Sequence, residues 1–234
     1  MVIWVGRPGR ASSTIPNMPV PPLSRQPDAL AWFDTLNGQA VLGAERSHLR
    51  SALVSRPAQQ PWLWIAPAMQ GASDDLPVPP RSLLLHRQGR RLVGPLQCGL
   101  PLPLPSESIG NVILQHALDD GSDDLLEECE RVLEPGGRLW LFTLNPLSAY
   151  RLRWRGSGLA VRSTSFWQLR LRRQGLQPCG EQVSYFGPLW RPEPVTSNPG
   201  RLRSICLLQS EKRSAALIPP APVKRHWQAG AATA

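Results

Sequence analysis

The sequence predicts an α/β domain in which helices cover both faces of a mostly parallel sheet of about seven strands. The clearest evidence is one continuous unit. An apolar run of strand length, residues 111–116, is followed by an acidic segment, 123–133, with apolar residues at helical spacing, and then by a second apolar run, 138–144. A strand, a helix and a strand in this order predict a parallel, right-handed βαβ unit.

Turn and cap residues mark the ends of these elements. Ser122 is the predicted N-cap of the acidic helix, and the Pro-Gly-Gly sequence at 135–137 ends it. A second helix is predicted at 163–174, with a Ser/Thr cap at its start and Gly175 at its end.

The rest of the chain supplies the remaining elements. A helix is predicted over 28–53, although Gly38 and Gly43 weaken it. Strands are predicted at 62–65, 83–86 and near 92–96, and two late strands, near 182–186 and 203–209, should form an antiparallel end of the sheet. The segment between the first two strands is short and rich in proline, which disfavours a crossover helix there.

Length and composition fit one domain. The chain has 234 residues and a mass of 25.8 kDa. We expect the domain to span 28–213, between a disordered Pro-rich leader at 1–27 and a disordered tail at 214–234. The leader has no positive region before its apolar patch, which argues against a signal peptide, and no apolar run has the length of a membrane span.

Charge is unevenly distributed. The net charge is +9, and residues 101–150 are acidic whereas 151–234 are strongly basic. A basic half attracts an acidic substrate, nucleic acid or anionic lipid, although a solvated arginine surface needs no ligand. Trp154, Trp167 and Trp190 lie among arginines, a pattern that keeps a nucleic-acid-associated protein open as a third hypothesis.

The four cysteines are scattered, with no CxxC pair and no histidine at metal-ligand spacing. We interpret them as buried free thiols of a cytoplasmic protein and predict no metal site.

Residues 102–146 resemble the second half of a class I S-adenosylmethionine-dependent methyltransferase domain, the type 11 group. The matching positions are Leu102, Pro103, Leu104, Ser108, Ile109, Val112, His116, Leu118, Asp119, residues 131–133 and 135–137, Asn145 and Pro146. The phrases NPLSAYRLR (145–153) and WFDTLNGQAVLGAE (32–45) resemble a bacterial subgroup of that family. The resemblance implies a Rossmann-like class I methyltransferase fold, S-adenosylmethionine as cofactor, and direct methyl transfer to an acceptor that the sequence does not identify.

The resemblance also implies a cofactor site at the carboxyl ends of the strands. The family's glycine-rich loop is degenerate here, with Ala66, Pro67 and Gly71 in its place, which predicts weakened or lost cofactor binding. The remaining cofactor positions implied by the resemblance are His86, Gln97, Gln115 and Leu118. His116 is the implied catalytic base, and Asn145, Tyr150 and Arg151 are the implied substrate-binding residues.

Some of these residues also fit purely structural roles. His86 and His116 also fit a strand-end and a core histidine, and Asn145 also fits a turn. The alternative function is a binding or scaffold protein that kept the fold and lost catalysis. The acceptor, the acceptor atom and the oligomeric state stay undetermined at this point; an acidic acceptor is compatible with the basic half.

Overall fold

The structure, a computed structural model, describes residues 28–57, 60–67, 76–180, 183–191 and 200–213. The predicted leader, the predicted tail and Gly71 lie outside the described residues. Among those described, no helix is long and apolar enough to cross a membrane.

Nine strands form one sheet within the described part of the chain, in the order β4-β3-β2-β1-β5-β6-β9-β7, with β8 also paired to β9. Their bounds are β1 Trp62–Ala66, β2 Ser82–Gln88, β3 Arg91–Val93, β4 Gln97–Cys98, β5 Ile109–Gln115, β6 Leu133–Leu144, β7 Leu176–Pro178, β8 Ser184–Phe186 and β9 Ile205–Lys212.

The central strands β2, β1, β5 and β6 are parallel, and β9 pairs with β6 antiparallel. Strands β1 and β5 are neighbours, and the chain continues from β1 to β2 on one side and from β5 to β6 on the other, so these two connections lead in opposite directions across the sheet. This is the topological switch point of an open α/β sheet, where ligands bind beyond the carboxyl ends of the strands. The predicted Rossmann-like fold class is confirmed.

The third predicted strand differs from expectation. Residues 92–96 are not one strand, because the chain forms a hairpin of β3 and β4 instead. Strand β3 pairs with β2 antiparallel, and Gly89 between them has a φ of 57°. Such a tight turn joins only antiparallel strands, since a parallel partner requires a long crossover.

Three α-helices and one 3-10 helix lie where the sequence predicted helices. The predicted helix over 28–53 divides at Thr35 into a 3-10 helix, Ala29–Asp34, and α1, Leu36–Val54, and Thr35 caps α1 by accepting a hydrogen bond from the Gly38 N–H at 3.3 Å. Helix α2 spans Asp124–Val132 and α3 spans Thr164–Arg173, close to the predicted bounds. A further 3-10 helix, Ala149–Arg153, follows β6.

One predicted cap is wrong. The N-cap of α2 is Asp123, with no side-chain cap hydrogen bond, rather than Ser122. The Ser122 hydroxyl instead donates to Asp120 at 2.6 Å and accepts from Arg87, so it is occupied within the loop that precedes the helix.

The core lies on both faces of the sheet, because side chains alternate along each strand. On one face Leu63, Ile65, Leu139 and Leu141 pack against α2 and α3. On the other face the indoles of Trp62 and Trp140 stack at 5.5 Å, under α1 and the 3-10 helix that precedes it. The predicted two-sided covering of the sheet is confirmed.

Candidate functional site

Four of the predicted cofactor residues lie in one row across the sheet. Ala66 pairs with His86, His86 with Val93, and Val93 with Gln97. Ile65 pairs with Leu114, which places Gln115 next in line with Ala66. Because paired residues of neighbouring strands face the same side, the row lies on the face covered by α1, at the carboxyl ends of β1, β2 and β5.

The other predicted cofactor positions are placed differently. Pro67 is buried directly after β1, and as a proline it has no N–H to donate there. Leu118 is fully buried in the core on the opposite face, with α2 and α3. Leu118 therefore packs away from the row formed by the other residues.

A buried polar network extends from the row. The Gln115 amide accepts a hydrogen bond from the Trp64 indole at 3.1 Å and donates one to Glu45 Oε2 at 2.6 Å. The other Glu45 oxygen, Oε1, lies 2.6 Å from His116 Nε2. Glu45 lies on α1, so these hydrogen bonds attach the covering helix to the end of β5.

The second imidazole nitrogen of His116 also contacts a carboxylate. Its Nδ1 lies 2.7 Å from Asp119 Oδ2, and Asp119 in turn accepts from the Thr143 hydroxyl at 2.5 Å and the Leu144 N–H at 3.0 Å. The Phe33 ring stacks on the imidazole at 4.5 Å between centroids. Glu45, His116 and Asp119 all have no exposed surface. We refer to Glu45, Gln115, His116 and Asp119 as the buried network.

The backbone of His116 is unusual. Its φ is 50°, in the left-handed region that non-glycine residues seldom adopt. The conformation costs about 1 kcal/mol or more and persists only where the surroundings impose it. Here the N–H of His116 donates to the Phe142 carbonyl at 2.9 Å, and both ring nitrogens are held by carboxylates.

The electrostatics of the network fix the charge of His116. Burial lowers the pKa of the imidazole, but the carboxylates of Glu45 and Asp119 outweigh that effect and raise the pKa to about 9. His116 is therefore an imidazolium at neutral pH, donating from both nitrogens. Two carboxylates and one imidazolium leave one net negative charge in the network.

The base role of His116 stays a prediction, and the geometry defines what it would require. A general base needs an unprotonated nitrogen within reach of the substrate. His116 would have to lose its proton, which is held up to a pH of about 9, and to give up a hydrogen bond to Glu45 or Asp119. It would also have to become exposed.

The loop after β5 is held in place by a side chain of β2, which lies on the other side of β1. Arg87, the residue after His86 on β2, donates to the Ala117 carbonyl, pairs with Asp120 at 2.9 Å and donates to the Ser122 hydroxyl. Burial lowers the pKa of Arg87, although Asp120 and Asp28 oppose this shift. Arg87 thus links β2 to the loop that follows β5.

The predicted substrate residues separate into two kinds. Asn145 is buried, and its side-chain amide donates to the carbonyls of Arg201 and Arg203 at 2.8 and 2.7 Å. Tyr150 is buried with its hydroxyl donating to the Asn37 carbonyl at 3.2 Å, and burial raises its pKa against the opposing effect of Arg153. Arg151 is exposed. Asn145 and Tyr150 connect structural segments, and only Arg151 reaches solvent.

The sequence indicates no role for Glu45 or Asp119, although Glu45 lies in the phrase 32–45 and Asp119 is among the positions that match the family. The available signal for Glu45 was its place on the apolar stripe of α1, four residues after Val41 and four before Leu49, both buried. A carboxylate on the buried stripe of a helix needs a partner. Nothing in the helix itself indicates that His116 is that partner.

No protein-family model and no curated protein sequence matches the chain. The solved structures that resemble the chain share little sequence identity with it. A methyltransferase of Thermotoga maritima, described as a possible histamine N-methyltransferase, shares 13% identity over 80% of this chain and 100% of its own, with a TM-score of 0.48. A putative methyltransferase in complex with the Trm112 activator of Haloferax volcanii shares 14% over 80% and 98%, at 0.48. Geranyl diphosphate methyltransferase in complex with S-adenosylmethionine shares 12% over 73% and 85%, at 0.47.

Proposed function

We propose that the chain is an S-adenosylmethionine-dependent methyltransferase that transfers a methyl group directly to an acceptor. The observation that supports this best is the row of Ala66, His86, Gln97 and Gln115 at the topological switch point, beside a buried network with one net negative charge. Polar groups collected at this edge of an open α/β sheet are the usual setting for a ligand.

The residues present fit this cofactor in chemical type. S-adenosylmethionine is positively charged at sulfur and carries ribose hydroxyls and an adenine. His86 and Gln97 offer hydrogen-bonding groups suited to the hydroxyls and the base, and the excess carboxylate of the network favours a cation. Pro67 supplies no N–H for the amino-acid end, so we expect weaker binding than a glycine-rich loop would give.

When bound, S-adenosylmethionine supplies a methyl group on a positively charged sulfur, which a nucleophilic atom of the acceptor displaces in line. The chain itself mainly has to orient the reactants and exclude water. Phe33 and α1 seal one side of the switch point, and the hydrogen bonds of Glu45 to Gln115 and His116 hold that cover against β5.

A scaffold protein without catalysis is the second candidate, and it too has a supporting observation. Gln115 has its amide oxygen and nitrogen already engaged by Trp64 and Glu45, and Pro67 is buried. In this case the network serves stability alone, and no cofactor affinity is expected.

Calorimetric titration of the purified chain with S-adenosylmethionine distinguishes the methyltransferase from the scaffold protein. We expect micromolar binding that Gln97→Ala weakens, whereas Gln177→Ala, an exposed glutamine at the far end of the sheet, leaves it unchanged. Absence of binding up to millimolar ligand, or equal effects of the two variants, would contradict the methyltransferase proposal and favour the scaffold.

A further inference from the structure

Three segments meet at the corner of the molecule where β6 ends. The Asn145 side chain donates to the carbonyls of Arg201 and Arg203, and the Asn145 N–H donates to the Ser204 carbonyl at 2.8 Å. The Ser204 N–H donates to the Pro188 carbonyl at 3.2 Å. Residues 145–155, 187–191 and 200–204 are therefore held together beside the carboxyl end of the sheet.

The large exposed side chains of this corner are leucines, arginines and Trp190. Leu147, Leu152 and Leu202 are 71%, 53% and 59% exposed. The exposed arginines of the same segments are Arg151, Arg153, Arg155, Arg191 and Arg201. We call Leu147, Arg151, Leu152, Arg153, Arg201 and Leu202 the basic leucine surface.

Within the described segments of this corner, 145–155, 187–191 and 200–204, the charged side chains are all arginines. Their guanidinium groups suit phosphate groups. The four exposed leucines of these segments, Leu147, Leu152, Leu189 and Leu202, add apolar area that solvent does not favour.

We propose that the basic leucine surface binds the surface of an anionic lipid bilayer. Arginines pair with lipid phosphates while leucines enter the boundary between headgroups and acyl chains, as on interfacial protein segments. Trp190, 53% exposed on the adjoining segment, has the amphipathic ring that suits the same depth.

Nucleic acid fits this surface less well. Binding to single strands relies on aromatic rings that stack on bases. Of the three tryptophans that lie among arginines in the sequence, Trp154 and Trp167 are buried at 6% and 0% exposure, so only Trp190 is available for stacking. Exposed leucines gain nothing from phosphate contacts but do gain from lipid.

The test is co-sedimentation of the full chain, without cofactor, with vesicles of phosphatidylglycerol and phosphatidylcholine in equal amounts, and with vesicles of phosphatidylcholine alone. We expect binding to the anionic vesicles only. The triple variant Arg151→Gln, Arg153→Gln and Arg201→Gln should weaken the partitioning on the order of a hundredfold, since each basic side chain near an anionic surface contributes a factor of about five.

A matched control keeps the overall charge equal. Arg90→Gln, Arg172→Gln and Arg173→Gln remove three exposed arginines of other segments, so both triple variants lower the net charge of +9 equally. The control should retain vesicle binding. Leu147→Ser, Leu152→Ser and Leu202→Ser should weaken vesicle binding without changing the net charge.

The proposal would be overturned if the chain did not bind anionic vesicles, or if the two triple arginine variants lost equal amounts of binding. It would also be overturned if the chain bound a single-stranded oligonucleotide instead of vesicles and the leucine variant bound that oligonucleotide as well as wild type does. Since no cofactor is present, the outcome is independent of whether the chain binds S-adenosylmethionine.

Discussion

At the scale of single residues, the charge of His116 links the stability of the fold to pH. Its pKa in the folded protein is about 9, above the ordinary 6.5. The stabilisation from its protonated form is therefore complete below pH 6.5 and is lost as the pH rises through about 9. The difference corresponds to about 3 kcal/mol at most.

Glu45→Gln tests this link without leaving a polar group unpaired. The new amide accepts from Gln115 through its oxygen and donates to a neutral His116 through its nitrogen, so the network stays hydrogen-bonded while the pKa of His116 falls. Urea unfolding at pH 6.5 and at pH 9 should give a smaller loss of unfolding free energy for this variant than for wild type. Asp34→Asn, at an exposed carboxyl, should keep the wild-type loss. Identical pH dependence of wild type and Glu45→Gln would contradict the assigned charge.

For single residues, the sequence predicted where several side chains lie along the strands but not which residues they contact. His116, Gln115 and His86 were expected at strand ends because hydrophobic runs end there. Gln115 and His116 lie at the end of β5, whereas β2 continues two residues beyond His86. The contact between His116 and Glu45 joins residues 71 apart in the chain. Local periodicity carries no information on such a contact, which depends on how α1 packs across the sheet.

At the scale of elements, two glycines of α1 have opposite roles. A Cβ on Gly38 would lie against the backbone of Phe33 and Trp32, closer than van der Waals contact, whereas a Cβ on Gly43 meets nothing within 4 Å. Gly38→Ala should lower the unfolding free energy by about 1–3 kcal/mol through overpacking. Gly43→Ala should raise it by about 0.5–1 kcal/mol through helix propensity.

Thermal or urea unfolding of the two alanine variants checks this pair, with each variant serving as the other's control for the same chemical change in one helix. Equal effects of either sign would mean that α1 does not approach the preceding 3-10 helix as closely as the structure has it.

Elements with local signals were predicted best. Helix α3 begins after Ser163, whose hydroxyl accepts from the Phe166 N–H, and Gly175 with a φ of 76° follows it, as the cap residues indicated. The β3–β4 hairpin was missed because residues 92–96 form a short apolar stretch whose strand direction depends on the turn at Gly89. Strand β7, of only three residues, offers no periodic pattern.

At the scale of the whole molecule, the protection of backbone amides against hydrogen exchange should decline from the centre of the sheet outward. All seven residues of β5 are buried, between β1 and β6 and under helices on both faces, whereas β3 and β4 form a short hairpin at the edge. Native-state hydrogen exchange should therefore give the highest opening free energies for amides of β5 and the lowest for β4. Equal protection of the two strands would contradict the described packing.

The parallel pairing of β5 with β6 was expected from the βαβ unit, while the shape of the candidate site was not. The unit fixes where β5 and β6 end, and hence the edge at which Gln115 and Asn145 lie. The cover that Phe33 and Glu45 form over that edge depends on the N-terminal helices, and Gly71 lies outside the described residues, so the predicted loop role stays a prediction.

The central claim is that the switch point beside the buried network binds a cation-bearing cofactor. The most direct measurement is the ratio of the affinities of the wild-type protein for S-adenosylmethionine and for S-adenosylhomocysteine, which lacks the sulfonium charge, at neutral pH. The net negative charge of the network favours a cation, so S-adenosylmethionine should bind more tightly than S-adenosylhomocysteine. Equal or weaker binding of S-adenosylmethionine, or no binding of either ligand, would contradict the account.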